Sequence, residues 1–233
     1  MEKKNLSKFA IIVAGGSGTR MKADIPKQFL LLNGKPILLR TMEQFLKIED
    51  CEVILVLPES EHEYWRNEMA EKYSNSPAFS SKRITLAKGG ITRFQSVTNG
   101  LAEIKSGEGV VAVHDGVRPL VSKEIIEQSF VEAELYGAVA VSVSLKDSIR
   151  EVNADGENKA VDRTYYRLMQ TPQTFSLKLL KSAYEQQESA LFTDDASVAE
   201  ALGSSITLIE GDYRNIKITT PEDIIVAEAF LQL

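Results

Sequence analysis

The stretch Phe9-Ala-Ile-Ile-Val-Ala14-Gly-Gly-Ser-Gly-Thr-Arg20 decides how this chain is read. Six apolar residues without polar alternation read as a strand buried on both faces, and such strands belong to parallel sheets. Glycines follow at once, which lets backbone N–H groups approach phosphate oxygens closely. No Gly-Lys-Ser/Thr follows, so this is not a P-loop. Gly16-Ser-Gly18-Thr-Arg-Met21 also lacks the third glycine of the dinucleotide fingerprint. A plain Gly-rich turn is the alternative reading of the glycines. Two cations close by, Arg20 and Lys27, favour polyphosphate binding, and Pro26-Lys-Gln-Phe29 suggests that Lys27 is held in place.

The same rhythm continues outward. Val53–Leu57, Ile84–Ala87, Val110–Val113 and Ala138–Val143 read as further strands. Helical periodicity runs through Leu38 to Leu46, 60–73, Phe94 to Ile104 and 123–136. Alternation of this kind predicts an α/β fold: a mostly parallel sheet covered on both faces, with right-handed crossovers and ligands beyond the carboxyl ends of the strands. The rhythm breaks at Leu145–Arg163, where a turn at Asn153-Ala-Asp-Gly156 joins two short runs into a protruding β-hairpin arm, about residues 143–165. Helices return at 176–187 and 194–202. Ile206–Ile209 and Asn215–Ile218 read as strands, and Thr220-Pro221 opens a last helix with Asp223 completing a capping box. One domain spanning 1–233 is expected.

Composition narrows the classes. The chain has 233 residues, a net charge of −6 and a single cysteine, Cys51, so an intrachain disulfide and a Cys-rich zinc site are excluded. An acidic chain is not the usual nucleic-acid binder, and no apolar stretch is long enough for a membrane span. A cytoplasmic location is expected.

Three further blocks carry candidate chemistry. Gly89-Gly90-Ile91-Thr-Arg93-Phe-Gln-Ser96 exposes backbone groups and a hydroxyl that suit a base edge, or is simply a strand end and helix cap. Val113-His114-Asp115-Gly-Val-Arg118-Pro places a carboxylate at a strand end. There it serves as a magnesium ligand or as a structural partner of Arg118. His114 reads as a packed imidazole rather than a catalytic base. Downstream lie Arg163, Gln170-Thr171-Pro-Gln173, Thr193-Asp-Asp-Ala-Ser197 and Asn215-Ile-Lys217. Thr193 and Asp194 could simply cap a helix, and Lys217 is either an edge charge or a group pointing into a cleft.

Taken in order, these blocks resemble the 2-C-methyl-D-erythritol 4-phosphate cytidylyltransferases over nearly the whole chain. The resemblance implies a Rossmann-like nucleotidyltransferase fold, CTP as co-substrate, a divalent metal such as Mg²⁺, and a homodimer joined through the hairpin arm. It implies that Arg20, Lys27, Lys217 and Arg163 act in catalysis, with Arg163 reaching across from the partner subunit. The nucleotide would be bound by Ala14, Gly15, Gly16, Ser17, Gly18, Thr19, Gly90, Ile91 (through its backbone), Arg93, Ser96 and Asp115. Asp115 would also hold the metal. Ser148, Arg163, Thr171, Thr193 and Lys217 would line the polyol phosphate site.

Four positions depart from the family pattern. Ser148 stands where Thr is common, Gly116-Val117 replaces Ala-Ala, and Ile91 stands where some relatives carry an acidic residue. The implied reaction is in-line attack by a phosphate oxygen, already ionised at pH 7, on the α-phosphorus of CTP. A ribitol-5-phosphate cytidylyltransferase is the nearest alternative, and a non-catalytic nucleotide-binding module the alternative from another class. A sugar-1-phosphate nucleotidyltransferase fits the downstream blocks less well.

Overall fold

The computed structural model describes residues 6–15 and 25–233. Its centre is a seven-stranded sheet. Strand β1 (Lys8–Val13) runs up the middle, followed by a two-residue hairpin, β2 (Leu31–Leu32) and β3 (Lys35–Pro36), and helix α1 (Ile37–Leu46). Then come β4 (Cys51–Leu57), a helical run from Glu59 to Lys72 that widens to π geometry over Trp65–Met69, β5 (Ile84–Lys88) and α2 (Arg93–Glu103). Strand β6 (Val110–Asp115), α3 (Lys123–Tyr136) and β7 (Ala138–Ser144) complete the regular alternation. The arm is β8 (Ile149–Val152) paired with β9 (Asn158–Val161). After it come β10 (Arg167–Ser176), α4 (Leu177–Ala183), α5 (Asp195–Ala201), β11 (Thr207–Glu210) and α6 (Pro221–Phe230). The sheet order is β11-β7-β10-β6-β1-β4-β5.

Strands β6, β1, β4 and β5 run parallel, so their carboxyl ends, and the loops that follow, open on one edge. The continuous apolar runs make this arrangement favourable, because both faces of each strand are covered. Helices α1 and α3 cover one face with Leu38, Met42, Phe45 and Phe130, and α2, α4 and α5 cover the other with Val97, Leu101, Leu180 and Val198. Helix α2 lies close to β1 because Gly100 faces Ile11; an added Cβ would sit 2.8 Å from Ile11 Cγ2.

Two sequence expectations need correction. Strand β10 is absent from the sequence reading, yet it sits antiparallel between β6 and β7 and is buried from Gln170 to Phe175. Its polar Gln-Thr-Pro-Gln segment disguises it. The ladder to β7 shifts register between Met169 and Gln173, and this irregularity accommodates a proline inside the sheet. Asn215–Ile218, expected as a strand, is instead an irregular segment outside every ladder. It is held by individual bonds: Ile218 N–H donates to Val117 O at 2.9 Å, and Asn215 Nδ2 donates to Thr171 O at 2.8 Å. No helix among the described residues is long and apolar enough to cross a membrane.

Candidate active site

Among the described residues, two clefts open along the carboxyl edge of the sheet. The first, about 390 Å³, is lined by Ala14 and Gly15 after β1, Lys27 and Gln28, Gly90 to Arg93, Ser96, Asp115 and Lys217. The second, about 300 Å³, is lined by Arg118, Met169 to Thr171, Gln173, Thr193 and Asp194. Arg93, Asp115 and Lys217 line both. These three side chains form a charged seam between the clefts.

Asp115 ends β6 and lies at the centre of the seam. Its Oδ2 meets Lys217 Nζ at 3.1 Å and Arg118 Nε at 3.1 Å, and its Oδ1 lies 4.0 Å from Arg93 Nε. Burial alone would favour the neutral acid. Lys217, Arg93 and Arg118 outweigh it and hold the carboxyl well below the usual carboxylate range. The structural pair with Arg118 is therefore present, as one part of a larger cluster. Arg118 also donates to Asn215 O at 2.8 Å and so fixes the segment that carries Lys217.

Lys27 is half-buried on a single helical turn behind Pro26. The next residue anchors it. Gln28 is buried, and its Nε2 donates to Ala14 O at 3.0 Å and to Glu61 Oε2 at 2.7 Å. The turn is thereby tied to the end of β1.

The loop before α2 is closed on itself. Gly90 N–H donates to Ser96 Oγ at 3.0 Å, Ser96 Oγ–H donates to Thr92 O at 2.9 Å, and Ile91 N–H donates to Gln95 Oε1 at 3.1 Å. The Ile91 side chain is 97% exposed at the cleft mouth. Gly90 cannot carry a side chain here, since a Cβ would fall 2.3 Å from Gln95 Cβ.

Thr171 projects from the irregular stretch of β10. Its hydroxyl accepts from Asp115 N–H at 3.1 Å and donates to His114 Nδ1 at 3.0 Å, while His114 Nε2–H donates to Arg118 O at 3.2 Å. Both imidazole nitrogens are satisfied in the neutral form, consistent with a packed rather than catalytic histidine. Burial pushes His114 down to about 4. Between about pH 6.5 and pH 4 the unfolded chain then binds more protons than the folded one. Stability is complete above this window and declines as pH falls through it, by about 3 kcal/mol in total. Urea midpoints at about pH 7.5 and about pH 4.5 should show a smaller pH-dependent loss in His114→Gln than in the unsubstituted chain. Equal losses would contradict this.

The remaining expected residues fall in different places. Thr193 is exposed on the rim of the second cleft, next to the capping box that Asp194 and Ser197 form on α5. Ser148 and Arg163 are exposed on the arm, outside the lining of both clefts, and Arg163 donates to Lys146 O. Gly16, Ser17, Gly18, Thr19 and Arg20 lie outside the described residues.

One feature gave no local signal. Arg93 forms a two-pronged pair with buried Asp195, at 2.8 and 2.6 Å, across 102 positions of sequence. Tyr184 Oη–H donates to the same carboxylate at 2.6 Å.

Comparison with known proteins adds to this geometry. The family model described as 2-C-methyl-D-erythritol 4-phosphate cytidylyltransferase (IspD) matches residues 9–233. Proteins of that name from Porphyromonas gingivalis W83 and Bacteroides fragilis are 49% and 48% identical to this chain. The first match covers 99% of both chains; the second covers 95% of this chain and 98% of its relative. Among solved structures, the 4-diphosphocytidyl-2C-methyl-D-erythritol synthase of Anaerococcus prevotii superposes with a TM-score of 0.82 at 30% identity, over 98% of this chain and 99% of its own. The Thermus thermophilus cytidylyltransferase superposes with a TM-score of 0.74 at 28% identity, over 98% and 100%.

Proposed function

This chain belongs to the 2-C-methyl-D-erythritol 4-phosphate cytidylyltransferase family, and from that membership we propose how its two clefts divide the reaction. The enzyme transfers CMP from CTP to 2-C-methyl-D-erythritol 4-phosphate, giving 4-diphosphocytidyl-2-C-methyl-D-erythritol and pyrophosphate. The observation that carries the division is the seam. Arg93, Asp115 and Lys217 belong to both clefts, so two substrates seated one in each would meet there through their phosphates. CTP occupies the first cleft, with its base at the loop of Gly90, Ile91 and Ser96 and its phosphates towards Gly15 and Lys27. The polyol phosphate occupies the second, near Thr171, Thr193 and Lys217.

A phosphate-monoester oxygen of the acceptor attacks the α-phosphorus in line, and pyrophosphate leaves from the opposite side. The nucleophile is already ionised, so no protein base is needed, in keeping with a neutral, doubly hydrogen-bonded His114. The obstacle is repulsion between CTP, at about −4, and the acceptor, at about −2. Lys27 faces the nucleotide phosphates, the family pattern gives Arg20 the same task, and Lys217 and Arg93 stand between the two substrates. Fixed cations where charge develops each contribute on the order of 3 kcal/mol.

The donor set at the seam fits a divalent cation bound chiefly by substrate phosphates. Asp115 Oδ2 faces Lys217 and Arg118, whereas among the described residues Oδ1 has Arg93 Nε at 4.0 Å and could serve as a single carboxylate ligand. Mg²⁺ bound there would draw charge from the α-phosphate oxygens.

The arm completes the reading. Val152 on β8 and Tyr165, Tyr166 and Leu168 on the return to β10 are exposed, Tyr165 to 85%. A protruding arm with exposed apolar side chains at its base suits a second copy of the chain, which would bring Ser148 and Arg163 to the partner's second cleft. Sedimentation velocity should then give a dimer for the full chain and a monomer for one lacking residues 146–164. A full-length monomer would contradict it. A cytoplasmic location belongs to the same reading and accords with the lone, buried Cys51.

Two measurements test the assignment. Purified enzyme with CTP and Mg²⁺ should release pyrophosphate with methylerythritol phosphate and not with ribitol 5-phosphate; turnover with ribitol 5-phosphate alone would overturn the substrate. Gly90→Ala forces its loop away from Gln95 and disturbs the Ser96 bond. It should raise KM for CTP by about tenfold, from roughly 1.4 kcal/mol of lost binding, with little change in KM for the acceptor. An unchanged KM for CTP would remove this loop from nucleotide recognition.

A further inference from the structure

Resting on the division of clefts just given, we propose that Asp195, backed by Tyr184, is a positioning residue: it fixes Arg93 on the wall shared by the two clefts and keeps its guanidinium off Asp115. The geometry is specific. Arg93 Nη1 and Nη2 donate end-on to Asp195 Oδ1 and Oδ2 at 2.8 and 2.6 Å, which uses two of five N–H donors and leaves three for other partners. Asp195 is fully buried, whereas the Arg93 side chain keeps 30% exposure towards the clefts. One end of the pair is thus sealed in protein and the other presented to ligand.

Tyr184 holds Asp195 from behind. Its hydroxyl donates to Oδ1 at 2.6 Å, and its ring stacks on Phe94, with centroids 4.6 Å apart. Phe94 in turn stacks on Phe192. The aromatic group joins α2, α4 and the segment before α5, so the carboxylate has little room to follow the guanidinium if a substrate pulls on it.

The alternative partner of Arg93 is close. Asp115 Oδ1 lies 4.0 Å from Arg93 Nε. A guanidinium released from Asp195 would close on that oxygen. It would then withdraw its donors from the phosphates and cover the Asp115 oxygen that does not face Lys217 and Arg118. Asp195 acts by outcompeting Asp115 for one arginine, without touching either substrate.

A double-mutant cycle tests this. kcat and both KM values would be measured for the unsubstituted enzyme, Asp195→Asn, Arg93→Lys and the double variant, with the melting temperature of each. Arg93→Lys removes the fork but keeps a cation. Asp195→Asn should lower kcat/KM by roughly a hundredfold towards both substrates, as when a preorganised charge contact is lost. The double variant should match Arg93→Lys within about twofold, because the two residues act as a unit. Losses that multiply would overturn the proposal, as would a lowered melting temperature with unaltered kinetics per folded molecule. If Asp195→Asn does not fold, Tyr184→Phe takes its place in the cycle. It should lower kcat/KM by about fivefold through one lost hydrogen bond, and that effect should vanish in the Arg93→Lys background. A Tyr184→Phe effect that persists there would overturn the proposal too. An unsubstituted enzyme inactive with both acceptors would instead refute the reading of the clefts on which this rests.

Discussion

Lys27→Ala lowers turnover by about a hundredfold or more while the chain still folds, since one preorganised cation at the developing charge contributes on the order of 3 kcal/mol. The expectation of an intact fold is structural. The turn that carries Lys27 is held by its neighbours: Phe29 packs in the core and Gln28 bonds Ala14 O and Glu61. Truncating Lys27 leaves those contacts in place. The loss should appear mainly in kcat, because the charge Lys27 meets is largest as pyrophosphate departs. Near-normal kcat in a variant of unchanged circular dichroism and melting temperature would remove Lys27 from the reaction.

Asp115→Asn should be damaging in two ways. The carboxylate is buried among Lys217, Arg118 and Arg93, and an amide leaves Lys217 and Arg118 without the counter-charge they face, while Arg93 keeps Asp195. Breaking a buried pair by removing one partner costs about 3 kcal/mol, which for a chain of this size lowers the melting temperature by roughly 6–12 °C. Part of that is relieved because Lys217 is 41% exposed and can turn to solvent. Turnover should fall by a hundredfold or more as well, since the seam loses both its organising charge and the oxygen offered to a divalent cation. Because its carboxyl is held well below the ordinary range, the stabilisation Asp115 provides is complete above about pH 4 and is lost only as pH falls further. Activity between about pH 6 and 8 should therefore show no titration from this group. A stable and active Asp115→Asn enzyme would contradict its place at the centre of the site.

Much of the fold was legible wherever burial imposes a simple period. The uninterrupted apolar runs gave β1, β4, β6 and β7 within two or three residues, the helical run at 123–136 matched α3, and the capping box at Thr220 to Asp223 matched the start of α6 at Pro221. Strand β10 was missed for a physical reason. Its Gln170, Thr171 and Gln173 are buried polar groups satisfied by Asp212, His114 and Asp194, so the hydrophobic signal of a central strand is missing. Asn215–Ile218 misled in the opposite direction. Alternating apolar residues suggested a ladder, but Ile218 packs beside Val117 in a small cluster under α6, and the segment is tied down by Arg118 and Thr171.

The candidate site divides in the same way. Residues at strand ends, such as Asp115 and the Gly89-Gly90 pair, can be placed from sequence because the topology sends every parallel strand to one edge. The partner of Arg93 could not. Asp195 carries no local signal of its own beside the helix-capping residues before it, and only the packing of α5 against the sheet brings it to a guanidinium 102 residues earlier.

The claim that stands above these details is direct transfer between two substrates meeting at the Arg93–Asp115–Lys217 seam, without a covalent enzyme intermediate. The most direct measurement is the stereochemical course with CTP bearing a chiral α-phosphorothioate. A single in-line displacement inverts the configuration at the α-phosphorus, and inversion is the expected result. Retention would mean two successive displacements through a nucleotidylated side chain, and would contradict the seam as the meeting point of the two substrates.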